Sequence, residues 1–203
     1  MGKNIGLIPL GFTEIWSASF NSAIIISAGD NAEFIAFCGI NLDITIFNKE
    51  NVYLPAFLKT YPFLNVEVEN KDKKVNSLIA IDNNPKYVAK DKKIFILDKE
   101  KNLSKQVATK VELIKELNSQ RAVCRRIIAE LKKLDLLIKK DLRVKIEGKE
   151  EKVILEEFYV INIEKLLKLD DKIIASFAKK GWMGIFDAHL KSISNFEKIL
   201  KVN

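Results

Sequence analysis

Between Asn102 and Lys140 apolar residues recur in steps of three and four: Val107, Val111, Ile114, Leu117, Cys124, Ile127, Ile128, Leu131, Leu134 and Ile138. That period places them on one stripe of a helix. The spacing predicts one long amphipathic helix, or two with a break near Asn118 and Ser119, with Ser104 as the candidate N-cap. A coiled-coil seam would have to continue where Gln120 and Arg121 interrupt the stripe. The helix is therefore expected to lie on the protein's own sheet, since amphipathic helices gain most of their stability from tertiary packing.

The rest of the chain must supply that sheet. From Asn21 to Phe47 the runs AIIIS, AEFIAFC and LDITIF are separated by the turn signals GDN and GIN, which predicts three strands. After a polar turn at Asn48 to Asn51 comes YLPAFLKTYPF, where Pro55 suits a helix start and Pro62 forces the residue before it out of the α region. A short helix ending in a kink is expected there. LNVEVEN, VNSLIAID and KKIFILD predict three further strands, joined to the first three in one mostly antiparallel sheet because no long helix intervenes.

Beyond the long helix, DLRVKIEGKEEKVILEEFYVI alternates on both sides of Gly148, as a hairpin does. NIEKLLKL, DDKIIASFAKK and GWMGIFDAHLKSISNFEKIL then read as helices. The last carries a stripe of Trp182, Phe186, Ile193, Phe196 and Leu200, with His189 on it. The expected fold is α+β: a mostly antiparallel sheet, one long amphipathic helix and a C-terminal helical segment. One domain is expected over 1–203, β-rich over 1–100, helical over 102–140, a hairpin over 142–161 and C-terminal helices over 163–201.

Several function classes lose support. No apolar run approaches the ~20 residues of a membrane span, so no membrane span is expected. The start MGKNIGLIPLGFTEIW has no signal-peptide h-region, so the expected location is cytoplasmic. Cys38 and Cys124 have apolar neighbours and no metal-ligand spacing, and are expected as buried reduced thiols. The net charge of +7 invites a nucleic-acid partner, but only Arg121, Arg125, Arg126 and Arg143 among the 34 basic residues carry the guanidinium fork that phosphate recognition favours. A solvated lysine surface is the simpler account.

The chemistry-bearing residues are few. His189 is the one histidine, which excludes HExxH and multi-histidine zinc sites. It is either a core residue with hydrogen-bonded nitrogens or a general acid or base facing a pocket. Asp82 and Asp98 close the apolar runs SLIAID and IFILD, where aspartate either starts a turn or lines a site and orients a base. Tyr53, Phe57, Tyr61 and Phe63 either plug a core or form the lip of a pocket, with Lys59 as its cation. No metal site and no cofactor is expected, since neither metal-ligand spacing nor a phosphate-cradling glycine loop occurs.

The order of these segments resembles the SapC family of bacterial proteins. That family has a Tyr-x-Pro-Ala-Phe segment running into basic residues and Tyr-Pro-Phe, and a C-terminal Ala-His-Leu-x-Ser before an apolar helix. Here these are YLPAFLKTYPF and AHLKS, with LIAID, IFILD and EEFYVI between them. The resemblance covers about Ile40 to Leu200. It marks Tyr53, Pro55, Ala56, Phe57, Tyr61, Pro62, Phe63, Asp82, Asp98, His189, Leu190 and Ser192, while Lys59 and Thr60 stand where the family usually has paired arginines.

The resemblance implies a role tied to surface-layer or secretion systems. We expect an accessory protein that binds a protein or peptide partner through a pocket walled by the aromatic segment and the C-terminal helix. The alternative is an enzyme acting on a peptide or small metabolite, with His189 as acid or base and Asp82 or Asp98 orienting it.

Overall fold

The computed structural model describes residues 6–41, 44–69, 75–82, 84, 95–144 and 151–200. The chain divides into two compact units, one formed by 1–55 with 120–203 and a smaller one formed by 56–119. The class is α+β, as the sequence predicts. The helix α3 (Lys105–Lys133) is continuous, with no break at Asn118 and Ser119. Ser104 starts it through its carbonyl, which accepts the Ala108 N–H at 2.8 Å, but its hydroxyl makes no hydrogen bond among the described residues. The helix ends before the expected boundary. Asp135 takes φ 53 and Ile138 lies in a strand instead of on the helical stripe.

The larger unit holds a five-stranded sheet in the order β1-β3-β2-β7-β6. Its strands are β1 (Gly6–Pro9), β2 (Ala23–Ile26), β3 (Phe34–Gly39), β6 (Leu137–Val144) and β7 (Lys152–Ile161). All described pairings are antiparallel. β2 is a hairpin partner of β3, with Ile24 opposite Ala36 and Ile26 opposite Phe34. All four β2 residues are buried, which explains the unbroken AIII run. β6 and β7 form the predicted hairpin, but Gly148 lies outside the described residues. The hairpin carries an irregularity between Lys140 and Leu142, where Glu157 takes φ 56 and its N–H donates to Asp141 Oδ1 at 2.9 Å.

Around this sheet lie α1 (Ile15–Ala18), α4 (Ile163–Leu166), α5 (Asp171–Lys179), α6 (Trp182–Ser192) and α7 (Asn195–Leu200). The terminal GWMGIF segment is thus two helices with a turn at Ile193 and Ser194. Phe196 of α7 packs on Phe37 and Phe158, with ring centroids 5.1 and 5.7 Å away, and Phe177 of α5 packs on Phe186 at 5.5 Å.

Two strand expectations need correction. Of LDITIF, Leu42 and Asp43 lie outside the described residues, Thr45 makes only an isolated bridge with Gly39, and Ile46–Asn48 is a single 3₁₀ turn capped by Thr45, whose hydroxyl accepts the Phe47 N–H. The apolar alternation there serves a turn that buries only Ile46. Of KKIFILD, Lys92 to Ile94 lie outside the described residues, and Leu97 makes only an isolated bridge with Leu103. GLIP, by contrast, is strand β1, too short to announce itself by period.

The smaller unit contains α2 (Ala56–Thr60), the expected short helix, and a separate ribbon of β4 (Phe63–Glu69) and β5 (Val75–Ile81). Among the described residues β4 and β5 pair only with each other, so the single sheet expected from the sequence is two sheets. Phe63, Val107 and Ile114 are buried together, with Val111 and Ile81 packed against them. These are the first residues of the helical stripe, and they explain why it begins at Val107.

The interruption of that stripe at Gln120 and Arg121 marks a polar part of α3 within the larger unit. Glu33, just before β3, accepts from Arg121 Nε at 3.1 Å, Arg121 Nη2 at 2.7 Å and Arg125 Nη1 at 2.6 Å. The Thr13 hydroxyl donates to Gln120 Oε1 at 2.7 Å, and Lys132 Nζ donates to the Gly29 carbonyl at 2.7 Å. The helix therefore grips the β2–β3 turn by charge as well as by Ile127, Ile128 and Leu131, all buried. With the Glu33 side chain only 12 % exposed, Glu33→Ala would leave two guanidinium groups without their partner. We expect it to lower unfolding free energy by about 2 to 3 kcal/mol in urea titration, whereas Glu112→Ala, at an exposed pair with Lys115, changes it by less than about 0.5 kcal/mol.

Candidate functional site

The aromatic segment divides between core and surface. Phe63 is 8 % exposed and is a core plug, whereas Tyr53, Phe57 and Tyr61 are half-buried. In the smaller unit, α2 ends in a braced turn. Lys110 Nζ donates to the carbonyls of Lys59 at 2.6 Å and Tyr61 at 3.1 Å, placing a cation on the last carbonyls of a helix. The Tyr61 hydroxyl donates to Asp82 Oδ2, and the Asp82 N–H donates to the Pro62 carbonyl at 2.8 Å. The Tyr61 hydroxyl, and after it the Asn84 N–H, hold the Asp82 carboxyl below its ordinary range. The Tyr61–Pro62 bond is cis.

Asp98 does what a turn aspartate does: Oδ1 accepts the Glu100 and Asn102 N–H groups, both at 2.9 Å. In the larger unit, the Tyr53 hydroxyl donates to Glu14 Oε1 at 3.0 Å, and Glu14 Oε2 accepts the Gly11 N–H at 2.8 Å. Burial, then the adjacent Glu14 carboxylate, push the Tyr53 phenol above its ordinary pKa. Cys38 and Cys124 are free and buried, and burial pushes their thiols up to about 11 and about 12. They are thiols at neutral pH, as expected.

His189 and Ser192 meet at a fork in the sheet. β2 and β7 pair only at Ile26 and Tyr159. Continuing that antiparallel register would set Ile24 opposite Ile161, exchanging hydrogen bonds. Instead the Ile161 N–H donates to His189 Nε2 at 3.1 Å, and the Ile24 N–H donates to Ser192 Oγ at 2.9 Å. Residues three apart share a helix face, so α6 presents both acceptors to the two strands at once. The Ser192 hydroxyl in turn donates to the His189 carbonyl at 2.7 Å. One step further, Asn195 Nδ2 donates to the carbonyls of Ser19 at 2.7 Å and Ser22 at 3.0 Å. His189 and Ser192 thus satisfy the two N–H groups that the fork leaves open, and Asn195 satisfies two carbonyls of the turn that leads into β2.

The environment fixes the protonation state. His189 is fully buried, and its ring meets Phe34 edge-on with centroids 6.2 Å apart. Because Nε2 accepts, the neutral ring carries its proton on Nδ1, which makes no well-formed hydrogen bond among the described residues. Burial pushes the pKa down to about 4, opposed by the nearby Ile24 backbone. His189 and Ser192 lie in the larger unit, and Tyr61, Asp82 and Asp98 in the smaller one. Among the described residues the hydrogen-bond partner of the imidazole is backbone, and no cluster of three or more metal-ligating side chains occurs.

Several of these groups escaped the sequence reading. Asn195 was legible as the third member of a three-residue step. Glu14 and Gly11 had capping spacing, and Arg121 with Arg125 sat one turn apart on an otherwise apolar face. Trp16 and Phe20, about half exposed and edge-to-face with centroids 6.0 Å apart, gave no periodic signal.

The histidine generates a pH dependence. Its pKa is depressed in the fold, so unfolding takes up a proton below the ordinary value of 6.5. The contribution is full above pH 6.5 and is lost as pH falls toward 4, amounting to about 3 kcal/mol. We expect urea titrations at pH 7, 5.5 and 4 to show this extra loss in the native chain and not in His189→Gln. Ser192→Ala, which strands the Ile24 N–H, should cost about 1 to 3 kcal/mol at pH 7.

No helix among the described residues is long and apolar enough to cross a membrane. No curated protein and no solved structure matches the chain. The SapC family model matches residues 1–199, essentially the whole length, and the chain belongs to the SapC family.

Proposed function

We propose that this SapC-family chain is an accessory binding protein for a protein or peptide partner, acting in the cytoplasm in support of surface-layer or secretion systems. The observation that carries the proposal is the engagement of His189. The one histidine of the chain is sealed inside the fold, holds a strand N–H on Nε2 and stays neutral well below pH 7. An acid or base role would require it to leave that position and strand the Ile161 N–H. The aromatic segment has the opposite character. Phe57 on α2 and Tyr61 on the turn after it, braced by Lys110 and Asp82, stay half-exposed, and rigid aromatic side chains of this kind anchor interfaces. Free thiols at Cys38 and Cys124 suit a reducing compartment.

The test is affinity capture with the native chain and with Phe57→Ala, both verified as folded by thermal melting, followed by direct rebinding of the purified partner. We expect Phe57→Ala to weaken rebinding at least tenfold and His189→Gln to leave it unchanged at pH 7. Equal binding by Phe57→Ala and the native chain would sink the proposed surface.

A further inference from the structure

A second surface lies in the larger unit, where α3 passes the junction of α5 and α6. Val123, Arg126, Ala129, Glu130 and Lys133 from α3, with Lys180 and Trp182, line an open groove of about 720 Å³. Arg126, Glu130 and Lys133 fall one helical turn apart on a single face of α3. Gly181, at φ 71, provides the left-handed residue that ends α5 and turns the chain into α6. That turn places the Lys180 ammonium over the Trp182 ring, 4.6 Å from its centroid, while Phe177 stacks on the same indole at 5.5 Å. The indole is held at both contacts and remains half-exposed in the groove.

A shallower depression beside it is lined by Lys172, Ala175, Ser176, Lys179 and Lys180, and the two share Lys180. Together they present five cations, Arg126, Lys133, Lys172, Lys179 and Lys180, against the single carboxylate of Glu130. None of the five makes an ion pair among the described residues, in contrast to Arg121 and Arg125 on the neighbouring face of α3. The groove lining also includes the apolar side chains of Val123, Ala129 and Trp182. Each row of cations runs about 10 Å along its helix, a reach met by a short extended peptide at about 3.3 Å per residue.

We infer that this groove binds an acidic peptide segment with an apolar anchor, its carboxylates on the lysine and arginine rim and its anchor against Trp182. The inference rests on the binding reading above and names a partner chemistry for a different surface. A nucleic-acid backbone fits less well. Four of the five cations are lysines, and Glu130 stands inside the groove where a continuous phosphate chain would meet it.

The experiment uses the full chain with Trp16→Phe, which leaves Trp182 as the one tryptophan. A labelled peptide of glutamates around a central leucine is titrated by anisotropy, with Trp182 emission followed in parallel. Single-stranded DNA of equal charge and anionic phospholipid vesicles are the comparison probes. We expect saturable, salt-sensitive peptide binding that shifts the Trp182 emission. Arg126→Glu with Lys180→Glu should weaken it at least tenfold, and Lys49→Glu, outside the groove, should not. Absence of binding, equal binding by the double variant, or equal or tighter binding of DNA or vesicles would overturn the inference. Those outcomes leave the Phe57 result untouched, so the two surfaces succeed or fail separately.

Discussion

The larger unit depends on how a helix closes an opening between two strands. β2 and β7 come together at Ile26 and Tyr159 and part before Ile24 and Ile161. Two buried N–H groups without acceptors would cost about 1 to 3 kcal/mol each. α6 supplies both acceptors, His189 Nε2 and Ser192 Oγ, from one face. Asn195, at the start of α7, adds two bonds to the turn after α1 through the carbonyls of Ser19 and Ser22. α6 and the first residue of α7 thereby join β7 to the stretch from Ser19 through β2, two segments remote in sequence, and Phe34, Phe37 and Phe196 pack beside that polar seam.

This arrangement explains why histidine stands on an apolar stripe. An aliphatic residue would fill the space but leave the Ile161 N–H unsatisfied. A neutral imidazole both packs and accepts, at the expense of a pKa near 4 and of an Nδ1 that makes no well-formed hydrogen bond among the described residues. The motif that signals the family at the C-terminal end is therefore explained by architecture. At the other end, Phe63 is explained by packing on Val107 and Ile114, and Tyr61 with Asp82 by the bracing of the turn after α2. Among the described residues, what architecture leaves over is exposed aromatic surface and the cations of the Trp182 groove, none of which makes an ion pair.

The α+β class, the long helix, the hairpin and the C-terminal helices were legible in the sequence, because strong periodicity reports burial on one face. The two sheets were not separable, since AIII and VNSLIAI look alike to any local rule and strand partnership is non-local. LDITIF misled because its alternation satisfies a turn as well as a strand. Ile138 misled because it keeps the helical step one turn after Asp135 has left the helix. Of the candidate site residues, Asp98 as a turn aspartate and His189 as a buried, hydrogen-bonded ring were among the readings held open from the sequence. That Ser192 and His189 bridge two diverging strands depends on the β2–β7 register, which no stretch of sequence displays.

The central claim is that His189 and Ser192 each hold a different strand amide. Site-resolved hydrogen exchange of the Ile24 and Ile161 amides tests it most directly. Both should be protected in the native chain to the level of the β2–β3 ladder. Ser192→Ala should accelerate exchange at Ile24 by tenfold or more while leaving Ile161 slower, and His189→Phe should do the reverse. Fast exchange at both amides in the native chain, or identical acceleration of both in either variant, would contradict the account.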